Sequence, residues 1–193
     1  MVTTQPRSAH AREAILAAAA VEFDEHGYAG TSIASIAARA GTVKGHVQYH
    51  FRTKSTIATE LIQASFARGA FLAPSVEIAP RGIAAIIANT RFVAEQFQSD
   101  VPARATVRLL AEKSQIDGAL PTPYVGWMGH VEVMLDEAKQ DGDIRAGIDS
   151  AECAWLMVSA FFGALSVSQT LGALESFPHR VERIVRMLLA SLT

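Results

Sequence analysis

The 193-residue chain has one cysteine, Cys153. It therefore forms no internal disulfide and holds no cysteine-based zinc site, which suits a reducing cytoplasm. Aromatic residues make up only 7% of the chain, whereas half the residues are hydrophobic and many are alanine. That balance favours helix over strand. No alternating apolar–polar run, internal repeat or low-complexity segment is present. Residues Met1 to His10 lack the apolar core of a signal peptide, and the short apolar run Ala14 to Val21 meets Glu22, Asp24 and Glu25, as an amphipathic helix does. There is no glycine-rich phosphate loop, no G-x-S-x-G elbow and no H-E-x-x-H. The expectation is a protein that is not an enzyme and carries no cofactor. His46 and His50 have the i, i+4 spacing of metal ligands, but no acid or cysteine nearby supplies a third, so no metal is expected.

Two stretches lack charge of one kind or altogether. From His26 to Thr59 there is no Asp or Glu, while Arg39, Lys44, Arg52 and Lys54 lie in the same window. Acids are dense elsewhere, especially from Glu132 to Glu152, and the net charge is −2. A locally cationic window in a mildly acidic chain is the footprint of a DNA-binding head. The second stretch, Cys153 to Leu174, carries no charge and has the length of a membrane span. Ser166, Ser168, Gln169 and Thr170, with Gly163 and Gly172, favour a buried helix at a subunit interface instead, and no membrane partner is expected.

The hydrophobic period divides the chain into helices. Ile15, Leu16, Ala19, Ala20 and Phe23 give the first helix one apolar face, ending near Gly27. Gly30-Thr31-Ser32 supplies a loop and an N-cap hydroxyl for a short helix with Ile33, Ile36, Ala37 and Ala40 inward, and Gly41 ends it. Thr42 is the expected cap of a third helix whose Val43, Val47 and Phe51 face the core. Thr53 caps a fourth helix from Lys54, bearing Ile57, Leu61, Ile62 and Phe66; a looser segment runs from Ala70 to Arg81 with Pro74 and Pro80. Further helices are expected from Ile83 to Gln98, from Asp100-Val-Pro102 to Lys113, from Pro123 to Gln140, from Asp149 to Leu171, and from Pro178 onward. The fold class is all-α with about nine helices: a three-helix helix-turn-helix head at 1–55 and a helical effector-binding and dimerisation domain at 56–193. The fourth helix links the two.

Two short helices joined at Gly41 fit a helix-turn-helix, whose second helix lies in the major groove. With Val43, Val47 and Phe51 inward, the outer face of the third helix holds Gly45, Gln48 and Tyr49, flanked by Thr42, Lys44 and His46. Gln pairs with adenine and Lys with guanine or phosphate, and Gly45 permits close approach. Thr31 and Ser32 offer hydroxyl and backbone N–H groups to a phosphate. Arg52 and Lys54 suit phosphate contact, as do Arg7 and Arg12 in the N-terminal arm. Lys44 also reads as a solvated lysine, Tyr49 as a packing residue, and His50 as a core or phosphate-bridging histidine.

The run Phe23-Asp-Glu-His-Gly27-Tyr28-Ala-Gly-Thr31-Ser32-Ile33, then Ile36-Ala37-Ala-Arg-Ala40-Gly41-Thr42-Val43-Lys44-Gly45, then Tyr49-His50-Phe51-Arg52-Thr53-Lys54 resembles the head of the TetR family. Gln48 departs from it, standing where members often carry tyrosine, so the base preference differs. The resemblance implies a homodimer in which the last two helices form a four-helix bundle with the partner's. Arg108-Leu109-Leu110 with Leu120-Pro121-Thr122-Pro123-Tyr124-Val-Gly-Trp127 is similar to the γ-butyrolactone-receptor branch of that family. That likeness implies a ligand pocket lined by Trp127, with Tyr124 hydrogen-bonding the ligand's polar head. Phe66 and Leu110 match pocket positions that are polar in some members, and Gln63 is a further polar candidate. Phe162, with Phe161, walls the pocket or belongs to the dimer interface. Trp127 and Tyr124 read alternatively as core aromatics.

The expected function is a cytoplasmic repressor that binds inverted-repeat operator DNA and is released by a small molecule of γ-butyrolactone, butenolide or furan type, controlling antibiotic biosynthesis. The alternatives are a TetR-type regulator answering an unrelated apolar ligand such as an antibiotic, and a helical protein-interaction module without DNA binding.

Overall fold

Glycines and hydroxyl or carboxylate caps set where the helices begin and end. The computed structural model describes residues 4–68 and 80–193, with side chains from residue 8. Most of the looser segment from Ala70 to Arg81, including Pro74, and the side chain of Arg7 lie outside the described residues. Among the described residues there are nine α-helices and no strand: α1 Thr4–Gly30, α2 Ile33–Arg39, α3 Lys44–His50, α4 Lys54–Ala67, α5 Gly82–Ser99, α6 Val101–Ala111, α7 Val125–Gln140, α8 Ser150–Thr170 and α9 Phe177–Ala190. Short 3₁₀ turns follow α6 and precede α9.

Four side-chain caps are in place. Ser32, Thr53, Asp100 and Asp149 each accept a hydrogen bond from the backbone N–H three residues on. Gly27 breaks α1 with φ 69° and ψ −177°, a conformation open to glycine. The end of α2 is a Schellman motif: Gly41, at φ 64°, donates to the Ala38 carbonyl and Thr42 to that of Ala37. That motif corrects one expectation. Thr42 is consumed in closing α2, so the N-cap of α3 is Val43, which supplies no side-chain hydrogen bond. It corrects a second as well, because Val43 is 71% exposed and only Val47 and Phe51 of the expected inward trio are buried.

The described residues form two compact units. The first contains α1 to α4 and, after an excursion of the chain, α6 with its following loop to Pro123. Ile15, Phe23, Ile36, Val47, Phe51, Ile57, Ile62 and Leu109 build its core. Polar pairs tie α6 and the loop after it to α4: Thr106 Oγ1 donates to Ser65 Oγ at 2.8 Å, and the Asp117 N–H to Ser55 Oγ at 2.7 Å. All of α4 that is described packs here, so a division at 55/56 is not where the packing separates.

The second unit contains α5, α7, α8 and α9. Its core includes Ile86, Val93, Phe97, Leu135, Phe161, Phe177, Val181 and Leu189. Arg91 of α5 bonds Glu182 of α9, which also holds Arg186, and these two cations keep the Glu182 carboxyl below its ordinary pKa. The expected buried helix through the uncharged stretch is α8, yet only a third of its most apolar window is buried within the chain. It is the one described helix long and apolar enough to cross a membrane. One face packs on α7 and α9, while Trp155, Leu156 and Val167 stand open.

Candidate nucleic-acid interface and effector chamber

The α1–α2 turn is held from three directions within the first unit. The Glu112 carboxylate accepts the Tyr28 and Ala29 N–H groups, each at 3.1 Å. The Lys54 ammonium donates to the Tyr28 and Thr31 carbonyls at 2.5 and 2.8 Å and lies 4.1 Å from the centre of the Tyr28 ring. Arg108 donates to the Asp24 carbonyl, and Arg104 pairs with the Asp24 carboxylate. A side chain at Gly27 would run into Glu112, since a Cβ there falls 2.3 Å from a carboxylate oxygen. The turn thus joins α1, α4 and α6 through charge-assisted hydrogen bonds.

This network reassigns several cations of the acid-free window. Lys54, expected at a phosphate, is committed inside the head, and desolvation there lowers its pKa. Thr31, also expected at a phosphate, is buried, with its hydroxyl donating to the Glu22 and Gly27 carbonyls. Arg39 bonds Glu22 and Glu25, and Arg12 bonds Glu60 while its guanidinium lies over Phe51. Lys44 and Arg52 remain exposed, and among the described residues neither has an acidic partner.

The exposed residues converge on α3. Lys44, Gly45, His46, Gln48 and Tyr49 all face solvent, with Tyr49 82% exposed; Thr42 is half-buried at the turn before them. Ser32 is exposed too, although its hydroxyl already caps α2 in a reciprocal pair with Ser35. His50 stacks edge-on to His46 at 4.9 Å and to Tyr49 at 5.2 Å. Burial, then His46, then Arg12 push its pKa below the usual value. The two histidines belong to no cluster of three candidate metal ligands among the described residues. The cluster that does occur, Glu22, Glu25 and His26, already holds the Arg39 guanidinium.

The expected ligand residues divide between the units. In the first, Gln63 is exposed on a polar cleft with Thr59, Glu60 and Asp117; Phe66 is partly exposed; Leu110 is buried in the core. In the second, Tyr124, Trp127 and Phe162 come together. Tyr124 meets Phe162 at 4.6 Å, and Trp127 meets Phe161 at 4.6 Å and Phe162 at 5.8 Å, mostly edge to face. Trp127 is buried and donates its indole N–H to the Asn89 carboxamide oxygen at 2.8 Å. Tyr124, with φ 71°, is the one described non-glycine residue in the left-handed region. Such strain concentrates at ligand sites.

Residues 15–61 match the family of bacterial regulatory proteins named for tetR, and residues 81–193 match a tetracyclin repressor-like C-terminal domain. The chain belongs to the TetR family. It is 26% identical over 190 residues to the A-factor receptor protein of Streptomyces griseus, covering 97% of this chain and 66% of that one. It thus spans about two-thirds of that relative's length. Among solved structures, CprB of S. coelicolor A3(2) superposes with a TM-score of 0.85 at 25% identity, covering 97% of this chain and 90% of that one. TylP, a TetR regulator from Streptomyces fradiae, gives 0.70 at 33% identity, with 97% and 88% covered. A structure described as the molecular basis for control of antibiotic production by bacterial hormones gives 0.74 at 32% identity, with 94% and 96% covered.

Sequence reasoning about this TetR head missed Val43 as an exposed apolar residue at the foot of α3, because the helical period alone placed it inward. It missed Glu112, whose role depends on a turn more than eighty residues away. It also missed Asn89, which nothing local distinguishes from any polar residue on a helix.

Proposed function

We propose that the protein is a ligand-responsive transcriptional repressor, acting in the cytoplasm as a homodimer on inverted-repeat operator DNA. The observation that carries the reading is the α3 surface. Lys44, Gly45, Gln48 and Tyr49 stand together, exposed, with no carboxylate paired to Lys44. Gln48 suits adenine, Lys44 guanine or phosphate, and the exposed methyls of Val43 suit the thymine methyl. Ser32 and Arg52 flank them as phosphate contacts.

Dimerisation is supported by the open apolar groove of α8 and α9, lined by Gly163, Ala164, Val167, Leu171, Ile184 and Met187. Two heads related by a two-fold axis enter successive major grooves when spaced about 34–36 Å apart. The effector is a small molecule of γ-butyrolactone, butenolide or furan type; similarity to the A-factor receptor protein and the aromatic cluster around Trp127 support that class. Antibiotic production is the process under control, in keeping with the hormone-linked structure among its relatives. Release requires the effector to favour a conformation with a different head spacing, by about 5 kcal/mol for nearly complete switching. The α1–α2 turn gives α4 and α6 direct purchase on the head, so movement of either helix reaches α2 and α3.

A gel-shift on the DNA upstream of the protein's own coding sequence, with a panel of lactones, butenolides and furans, tests the reading. A retarded band released by one compound class is expected, and Lys44→Ala should weaken the band by tenfold or more. Absence of any band at low salt, where non-specific attraction is strongest, overturns it.

A further inference from the structure

Indole nitrogen only donates, so the group facing Trp127 Nε1 must be the Asn89 carboxamide oxygen. The amide orientation is thereby fixed, and its other end, Nδ2 with two N–H donors, has no hydrogen-bond partner. Asn89 is 3% exposed, and this nitrogen is the one buried, unpaired side-chain polar atom among the described residues. Native interiors rarely leave such a donor unsatisfied, and those that do are often functional.

The surroundings say what would satisfy it. Asn89 lies on α5 beside a small cavity that it does not itself line: its neighbours Ile86 and Thr90 and its hydrogen-bond partner Trp127 enclose it with Val131, Met157, Val158, Phe161 and Val185. None of these eight side chains carries a charge. A carboxylate or phosphate would enter without a counter-ion, and a ligand offering only donors would leave Nδ2 unpaired. The cavity's free space is about 10 Å³, at the limit for one water, so any larger guest must part the Trp127–Phe161 edge contact.

We propose that the Asn89 carboxamide is the polar recognition point of the effector site. Its Nδ2 donates to a carbonyl or ring oxygen of a neutral ligand whose hydrocarbon part lies against Trp127, Phe161 and Met157. Trp127 holds the amide in the orientation that presents the donor. The proposal rests on the ligand-responsive reading above and names the chemistry its effector must carry.

The test compares two probes of like shape, a γ-butyrolactone bearing a hexyl chain and hexylcyclopentane, by calorimetric titration of the full-length dimer. Wild type should bind the lactone at least tenfold more tightly than the hydrocarbon. Asn89→Asp keeps an acceptor for the indole and puts a carboxylate oxygen in place of the two donors, so it should erase that preference. Should a buried carboxylate prevent folding, the paired change Asn89→Leu with Trp127→Phe removes both polar groups. That variant should melt higher than wild type, bind hexylcyclopentane and lose the lactone preference. Retention of the preference in either variant overturns the role of Asn89 while leaving the repressor reading intact. Wild-type protein that shifts operator DNA but binds neither probe overturns the effector class and this proposal with it, and protein that shifts no DNA overturns the repressor reading on which it stands.

Discussion

The two units treat their polar groups in opposite ways. In the first, the α1–α2 turn has its carbonyls bonded by Lys54, its N–H groups by Glu112 and its threonine hydroxyl by the chain itself. In the second, the nitrogen end of a buried amide lacks a partner and a long apolar face lacks a cover. The first unit has its turn closed and carries on α3 an exposed set of side chains without acidic partners. The second has valences open, one small and polar, one broad and apolar, and those are the kinds a ligand and a second subunit fill. Charge counting alone would have drawn the contrast wrongly. Of the four cations in the acid-free window, Arg39 and Lys54 serve the fold and Lys44 and Arg52 are left for a partner.

The largest effect should come from adding charge to the open apolar face. Val167 is 57% exposed in the single chain, so the fold tolerates a substitution there. Arg180 and Arg183 already border the groove, so Val167→Lys adds a like charge at an interface that a dimer would bury. Sedimentation should report a monomer, and operator affinity should fall by about 100-fold or more, since two linked heads bind as one. A Val167→Lys protein that stays dimeric would move the interface away from α8 and α9.

Breaking the closed side of the comparison takes one methyl group. At Gly27 a side chain meets both an unfavourable φ and the Glu112 carboxylate. Gly27→Ala should cost about 1–3 kcal/mol of stability, read as a lower urea midpoint. The same variant should weaken operator binding, because α2 and α3 hang from that turn. A midpoint equal to that of wild type would mean that the turn relaxes without strain and is not the junction of α1, α4 and α6.

Much of the fold was legible because it is written locally. Ser32, Thr53, Asp100 and Asp149 cap the helices they precede, since a cap and its helix lie within four residues of each other. The all-helical fold followed from composition and period for the same reason. What the sequence concealed is what distance decides. Thr42 follows the helix-breaking Gly41 and reads as a cap, but the preceding helix claims it first. Lys54 reads as a surface cation until Tyr28 and Thr31, more than twenty residues earlier, are folded against it. Family likeness singled out Trp127 as a candidate, whereas its partner Asn89, on another helix, carries no such signal. On α3 the helical period placed Lys44, Gln48 and Tyr49 outward, as they stand, and placed Val43 inward, as it does not.

Val43 offers a smaller test, with opposite signs for stability and function. As an uncapped N-cap it leaves an N–H of α3 without side-chain support. Val43→Thr is nearly isosteric and adds the acceptor, so it should raise stability by about 0.5–1 kcal/mol. It also exchanges an exposed methyl for a hydroxyl at the foot of the DNA-facing helix. Operator binding should therefore weaken, or discriminate less at one thymine, even as the melting temperature rises. A variant that gains stability with unchanged operator preference would remove Val43 from the interface.

The smallest effect lies at His50 and is a matter of pH. Burial, His46 and Arg12 all disfavour its protonated form in the folded head, so the folded pKa lies below the usual 6.5. The unfolded chain then takes up the proton first as the solution is acidified. Stability from the neutral ring is present above about pH 6.5 and is lost as pH falls through the folded value. His50→Gln removes this linkage while keeping a polar side chain of similar reach. Between pH 7 and pH 5 the stability of wild type should fall more steeply than that of the variant, by a fraction of a kcal/mol, in parallel urea titrations. Parallel curves would show that the ring is as easily protonated in the head as in the open chain. His50 would then be free to meet a phosphate as a cation, the role the half-buried ring in this conformation resists.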